Sequence, residues 1–270
     1  MRTLRTSHGP VAFAELGQGR PLLLLHANPG DHRDFDAVMR PLAEDHRVIA
    51  VDFPGHGESP PPDPPENASA ALYADVVVEV ADALALSSAV VIGNSVGGYS
   101  AVRLALARPE RVSALVLVDS GGFTERGLVE RAFCRVKGTE WFTRAFATRF
   151  AEWYVSVRNE HTRAILARTE AGRRMPSRVA VDAAVWRSFL DPRHDLREAA
   201  RAVRVPTLLA WGKHDPVVAL PSGERAARTI PGAELVTFDT GHMPFAEAPE
   251  AFLSAVRGFL ARALAEKSAA

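Results

Sequence analysis

Short, unbroken apolar runs recur along this chain, each bounded by turn residues. Leu22–His26, Val48–Asp52, Val90–Gly93 and Leu115–Asp119 lie in the first half, and Thr207–Trp211 and Leu235–Phe238 repeat the pattern late. A strand with one wet face alternates apolar and polar residues. A run that is apolar throughout needs cover on both faces, as in a parallel sheet sandwiched between helices. Val11–Leu16 alternates instead and reads as a strand that ends at Gly17-Gln18-Gly19.

Helices are expected between these runs. Asn67–Leu86 places Leu72, Val76, Val80 and Leu84 on one face, with Asn67 or Ser69 as N-cap. Its Val76-Val77-Val78 run favours a strand by propensity, but a crossover between parallel strands requires a helix there. Val96–Ala107, Ser222–Thr229 and Glu250–Ala265 complete the helical set. Pro60–Pro65 reads as a stiff surface loop. The class is therefore α/β, a mainly parallel twisted sheet flanked by helices.

One interruption breaks the alternation. Residues 121–204 contain almost no strand-like run, and Phe133, Trp141, Phe142, Phe146, Phe150, Trp153 and Tyr154 are helically spaced. Residues 1–120 and 205–270 are expected to form the core, and 121–204 a helical cap. At 47% hydrophobic and 24% charged residues the chain is globular rather than disordered. Thirty-two Lys+Arg balance 32 Asp+Glu, which argues against nucleic acid as a partner. No secretory signal is visible, and the most apolar early run, Pro21–Ala27, is too short for a bilayer. A single cysteine, Cys134, closes no intrachain disulfide and builds no cysteine zinc site. The expectation is a cytoplasmic protein with no membrane partner, for which a homodimer is allowed but not required.

Gly93-Asn94-Ser95-Val96-Gly97-Gly98 follows one buried strand and opens a helix. This is a nucleophile-elbow pattern: a sharp strand-to-helix turn lifts the serine oxygen into a cleft, and the flanking glycines avoid collisions within the turn. The helix N-terminus directs the Val96 N–H at negative charge developing beside Ser95. A serine needs a base, and His242 in Asp239-Thr240-Gly241-His242-Met243-Pro244 leaves the last strand. Asp215, in Gly212-Lys213-His214-Asp215-Pro216, leaves the strand before it. All three fall at the carboxyl edge of the sheet, where open α/β folds place their sites. Asp119, at the end of Leu115–Asp119, is the alternative acid. The remaining histidines show no metal-ligand spacing.

His26-Ala27-Asn28-Pro29-Gly30, Asp52–Ser59, Gly93–Gly98, Gly212–Asp215 and Gly241–His242 stand in an order that resembles the α/β-hydrolase superfamily, in its capped serine hydrolase branch of esterases, haloperoxidase-like enzymes and carbon–carbon hydrolases. The resemblance spans Pro21 to Leu260 and implies a hydrolase without a cofactor. It implies a Ser95–Asp215–His242 triad in the family's chain order and an oxyanion hole from the Asn28 and Val96 amides. The Asp52–Ser59 turn is expected to hold the oxyanion loop.

Small-molecule substrates with a carbonyl group are the expected partners, with a small carboxylic ester or lactone as the default. Asn94 before the nucleophile is similar to carbon–carbon hydrolases, so a diketone-like substrate is the alternative. A ligand-binding receptor that retains the triad is a third reading. Asn94, Trp141, Trp153, Trp186 and Met243 are the candidate pocket wall.

Overall fold

The computed structural model describes residues 1–125 and 127–269. Eight strands form one sheet: β1 (Arg2–Thr6), β2 (Gly9–Leu16), β3 (Arg20–Leu25), β4 (His46–Val51), β5 (Ala89–Asn94), β6 (Val112–Val118), β7 (Thr207–Gly212) and β8 (Glu234–Phe238). Their spatial order is β1-β2-β4-β3-β5-β6-β7-β8. β2 runs antiparallel to both β1 and β4, and every other pairing is parallel.

The apolar runs of β3 to β7 are buried from both sides; Leu235–Phe238 is not, because β8 closes the edge of the sheet and leaves Leu235 and Val236 partly exposed and Thr237 exposed. Leu23, Leu25, Val91, Leu115, Leu117, Leu209 and Trp211 point into one core layer, with Val76, Val77 and Val80 of α2 (Ala70–Ala83) and Val102 of α3 (Val96–Ala107). Their sequence neighbours Leu22, Leu24, Val90, Ile92, Val116, Leu208 and Ala210 point into the other, with Val38 and Leu42 of α1 (Asp36–Leu42) and Phe252, Val256 and Phe259 of α10 (Pro249–Ala269). Alternate residues of one strand thus serve opposite layers, which is why these strands carry no polar alternation.

The valine run of α2 is helical, as the crossover requires. The helix begins at Ala70 rather than Asn67, because the Ser69 hydroxyl accepts the Leu72 N–H at 3.1 Å and ends the preceding turn. β1 and α1 are absent from the sequence reading. β1 is an edge strand whose residues are mostly exposed, so it lacks the apolar signature.

Between β6 and β7 the chain forms α4 (Leu128–Lys137), α5 (Glu140–Tyr154), α6 (Glu160–Gly172) and α7 (Pro176–Ser188). These helices lie over the carboxyl edge of the sheet. Val181 of α7 meets Gly55, Asp182 of α7 meets Asn28, and the Tyr154 carbonyl accepts the His242 N–H at 2.9 Å. Two short helices, α8 (Leu220–Thr229) and α9 (Pro244–Glu247), complete the core. No helix among the described residues is long and apolar enough to cross a membrane.

Candidate active site

The turn after β5 is held by its neighbours. A β-carbon at Gly93 would collide with the Gly97 carbonyl, and one at Gly97 would collide with the carbonyls of Leu25 and His26. Only glycine fits where strand and helix pass this closely. Ser95 sits at φ 55°, ψ −115°, outside the regions most side chains favour, at the head of α3. Its N–H donates to the Val118 carbonyl at 3.0 Å, and its carbonyl accepts the Gly121 N–H at 2.9 Å. The strained turn is therefore fastened to β6 and the segment beyond it.

Asn94 lies fully buried beneath that turn. Its side-chain amide donates to the Val118 carbonyl and to the His242 carbonyl, each at 3.1 Å. The buried amide needs acceptors, and these two carbonyls make it a tie between the serine turn and the histidine loop. Asn94 is thus withdrawn from the pocket wall expected for it.

His242 and Asp215 are both buried, with Nδ1 to Oδ2 at 2.6 Å. The other carboxylate oxygen of Asp215 accepts the N–H groups of Val217 at 2.7 Å and Val218 at 3.2 Å. Burial alone would raise this carboxyl. The charge of a protonated His242, its hydrogen bond and the two amides outweigh burial and hold Asp215 below the ordinary carboxylate range. With Nδ1 committed to Asp215, Nε2 remains to face a substrate. The Ser95 hydroxyl has no hydrogen-bond partner among the described residues, so a proton transfer to Nε2 requires the hydroxyl and imidazole to close on one another.

Glu247 was not anticipated from sequence. This buried carboxylate accepts the N–H of Gly241 at 2.9 Å and of Met243 at 3.1 Å, one on each side of His242. It also accepts the N–H groups of Ser156 and Val157, both at 2.8 Å, where the chain leaves α5. The only hint in the sequence is a glutamate within the otherwise apolar Met243–Ala248 stretch.

Across the cleft, the His26 ring fixes the loop after β3. Nδ1 donates to the Ala27 carbonyl at 2.6 Å and Nε2 accepts the Phe53 N–H at 3.0 Å. Burial lowers the pKa of His26, which suits this neutral tautomer. Asp52 accepts the N–H groups of His32 at 2.8 Å and Glu58 at 2.9 Å, so the 52–59 turn braces the loop after β3. The Asn28 side chain donates to Asp182 of α7, to its carbonyl at 3.2 Å and its carboxylate at 3.0 Å. Asp182 pairs with Lys137 at 2.9 Å, and both side chains are almost wholly buried. The backbone N–H groups of Asn28 and Val96 have no acceptor among the described residues.

Asn28, Ser95 and Val96 border one cavity of about 510 Å³. Phe133 of α4, Trp153 of α5, Trp186 of α7, Phe189 and Leu190 form much of its apolar wall, with Val217 and Val218 opposite. This is a suitable volume and lining for a small organic molecule. Of the tryptophans expected at a pocket wall, Trp153 and Trp186 border this cavity. Trp141 does not: it is 67% exposed and outside the cavity. Twelve residues separate Trp141 from Trp153, a rotation of about 120° on a helix, so the two cannot share a face. Met243 is also outside, buried in the core layer beneath β7 and β8.

Ser95, Asp215 and His242 thus stand beyond the carboxyl ends of β5, β7 and β8, at one edge of the sheet. The chain belongs to the alpha/beta hydrolase fold family, whose model matches residues 20–249. It is similar to the 2-hydroxymuconate semialdehyde hydrolase of Pseudomonas sp. (strain CF600), 32% identical over 92% of this chain and 89% of that protein. Among solved structures it is similar to an N-acyl homoserine lactone degrading enzyme (TM-score 0.80, 28% identical, covering 96% of this chain and 100% of that one). It is also similar to a malate-bound thermophilic esterase from Thermogutta terrifontis (TM-score 0.79, 26% identical, covering 97% and 99%). Esterase, lactonase and carbon–carbon hydrolase relatives thus surround it.

Proposed function

We propose that this chain is a serine hydrolase that cleaves a carboxylic ester or lactone through an acyl-enzyme on Ser95. The observation that carries this reading is the buried 2.6 Å contact between His242 Nδ1 and Asp215, tied through the Asn94 amide to the turn of a strained serine that borders an apolar cavity. In this reading His242 Nε2 removes the Ser95 proton as the hydroxyl attacks the carbonyl carbon. Asp215 holds the imidazole in the required tautomer and stabilises the imidazolium that forms. The unpartnered N–H groups of Asn28 and Val96 receive the oxyanion, and each such donor typically contributes about 10²–10³-fold to turnover. The proton returns from His242 to the leaving oxygen, and a water activated by the same imidazole releases the acid. Residues 121–204 act as the lid: their aromatic side chains exclude water and set the acyl preference.

A second reading, hydrolysis of a carbon–carbon bond in a diketone-like substrate, is favoured by the similarity to 2-hydroxymuconate semialdehyde hydrolase. Asn94 no longer supports it, because both of its amide bonds are structural.

The test is fluorophosphonate labelling followed by an ester, lactone and diketone panel. Ser95→Ala is expected to abolish labelling and nearly all turnover. Label on another serine, or turnover surviving in Ser95→Ala beyond a few per cent, would remove the assignment. Faster turnover of diketones than of esters would favour the second reading.

A further inference from the structure

The proposed acid has a second carboxyl beside it. Asp119, at the end of β6, is fully buried at a strained φ of 42° that turns the chain at this edge. Its Oδ1 accepts the Gly212 N–H at 2.9 Å, while its Oδ2 is buried and has no hydrogen-bond partner. An oxygen of Asp119, an oxygen of Asp215 and a ring nitrogen of His242 lie within 4.8 Å of one another. A carboxylate has about four acceptor sites. Those of Asp215 take Val217, Val218 and His242, which leaves one for a further donor. Two carboxylates this close, in a buried site, cannot both remain ionised.

We infer that Asp119 is a positioning residue held as the neutral acid, whose Oδ2–H donates to Asp215 while Asp215 keeps the negative charge and accepts from His242. The inference rests on the proposed role of Asp215. It satisfies every polar atom at once: Gly212 N–H to Asp119, Asp119 O–H to Asp215, and His242 Nδ1–H to Asp215. Burial and the charge of Asp215 push the Asp119 carboxyl well above the usual carboxylate range, and buried Glu247 acts in the same direction. The cation of a protonated His242 contacts Asp215. The donated hydrogen bond spreads the charge of Asp215, so this carboxylate does not compete for the His242 proton during turnover. Asp119 thereby acts on the imidazole through Asp215 and touches no reacting atom.

The test is infrared spectroscopy of the full chain with and without ¹³C-labelled aspartate, combined with pH profiles of kcat/KM. In an Asp34→Asn background, which removes the other buried aspartate whose carboxyl is raised to about 7, a protonated-carboxyl C=O band that moves with the label at neutral pH is expected to vanish when Asp119→Asn is added. Asparagine reproduces the neutral acid as donor to Asp215 and acceptor from Gly212. That variant is expected to keep turnover within about threefold, with the acid limb of the profile unmoved. Asp119→Leu removes the donor and is expected to lose about 10-fold or more in kcat, with KM for a small ester little changed. The absence of such a band, or its persistence when Asp119→Asn is added, overturns the inference. So does an acid limb about one pH unit lower in Asp119→Asn, the sign of a negative charge lost beside the imidazole. If Asp119→Leu does not fold, the band and the Asp119→Asn profile still decide. Failure of the hydrolase reading shows separately, in the Ser95 labelling, and leaves the infrared result intact.

Discussion

Lys137→Met is a sharp test of how the helices over the sheet edge are fastened to the loop after β3. The Lys137 ammonium is 1% exposed and lies 2.9 and 3.0 Å from the two Asp182 carboxylate oxygens. The rings of Phe150, Trp186 and Phe142 surround it at 5.2, 5.4 and 6.0 Å. At 2.9 Å and an effective dielectric of about 20, the Coulomb attraction is about 6 kcal/mol. The desolvation of both charges offsets much of that in the intact pair. Removing lysine alone recovers only its own share and strands the Asp182 charge in the interior, at a cost of about 3–5 kcal/mol. For a chain of this size that lowers Tm by roughly 6–20 °C. Because Asp182 also holds the Asn28 side chain, kcat is expected to fall along with stability. Thermal unfolding and ester kinetics on Lys137→Met, Asp182→Asn and the double variant form the cycle. The double variant is expected to regain most of the stability lost by Lys137→Met, since asparagine keeps a carbonyl for Asn28 and carries no charge. A loss below about 1 kcal/mol for Lys137→Met, or strictly additive effects in the double variant, would refute the argument.

Asp215→Asn is expected to lower kcat about 10⁴-fold by presenting the wrong imidazole tautomer, and a larger loss in Asp119→Asn would reverse the two roles. Trimming Trp153 or Trp186 to alanine should change relative kcat/KM across acyl lengths by up to about 1–3 kcal/mol per methylene, whereas Trp141→Ala should leave the ranking flat; equal effects of all three would refute this wall. Asp34 is raised well above the usual carboxylate range by burial and by Asp31, despite its 2.8 Å bond to Arg168. An acid raised in the folded state binds its proton more tightly there, so its contribution is full at low pH and is lost as pH rises from about 4 towards neutrality. Asp34→Asn should flatten the stability profile over that window, and urea midpoints measured from pH 4 to 8 that keep the wild-type slope would exclude this origin.

What could be read from the sequence follows from the range of the forces involved. The serine turn was legible because the collisions that demand Gly93 and Gly97 arise where a strand meets the next helix and the adjacent strand. The buried strands were legible because cover on two faces erases polar alternation. Asn94 misled because a side chain's direction depends on which carbonyls come within reach, and one of its two partners is 148 residues away. Trp141 misled because helical spacing shows that aromatics are helical without showing which face meets the cleft. Glu247 and the Lys137–Asp182 pair left almost no trace, since a charged residue destined for burial looks the same in sequence as a solvated one.

Glu247 also bears on how such chains can be recombined. One carboxylate grips both flanks of His242 and the segment leaving α5, and the Tyr154 carbonyl adds a further bond to His242 itself. Residues 154–157 therefore belong mechanically to the histidine loop, although they lie within the helical insertion. A graft that exchanges the whole of 121–204 for another protein's helices would cut this grip and misplace the histidine. A graft that keeps 154–157 with Glu247, and exchanges the helices on either side of that anchor, would transfer the aromatic wall of the cavity and leave His242 seated.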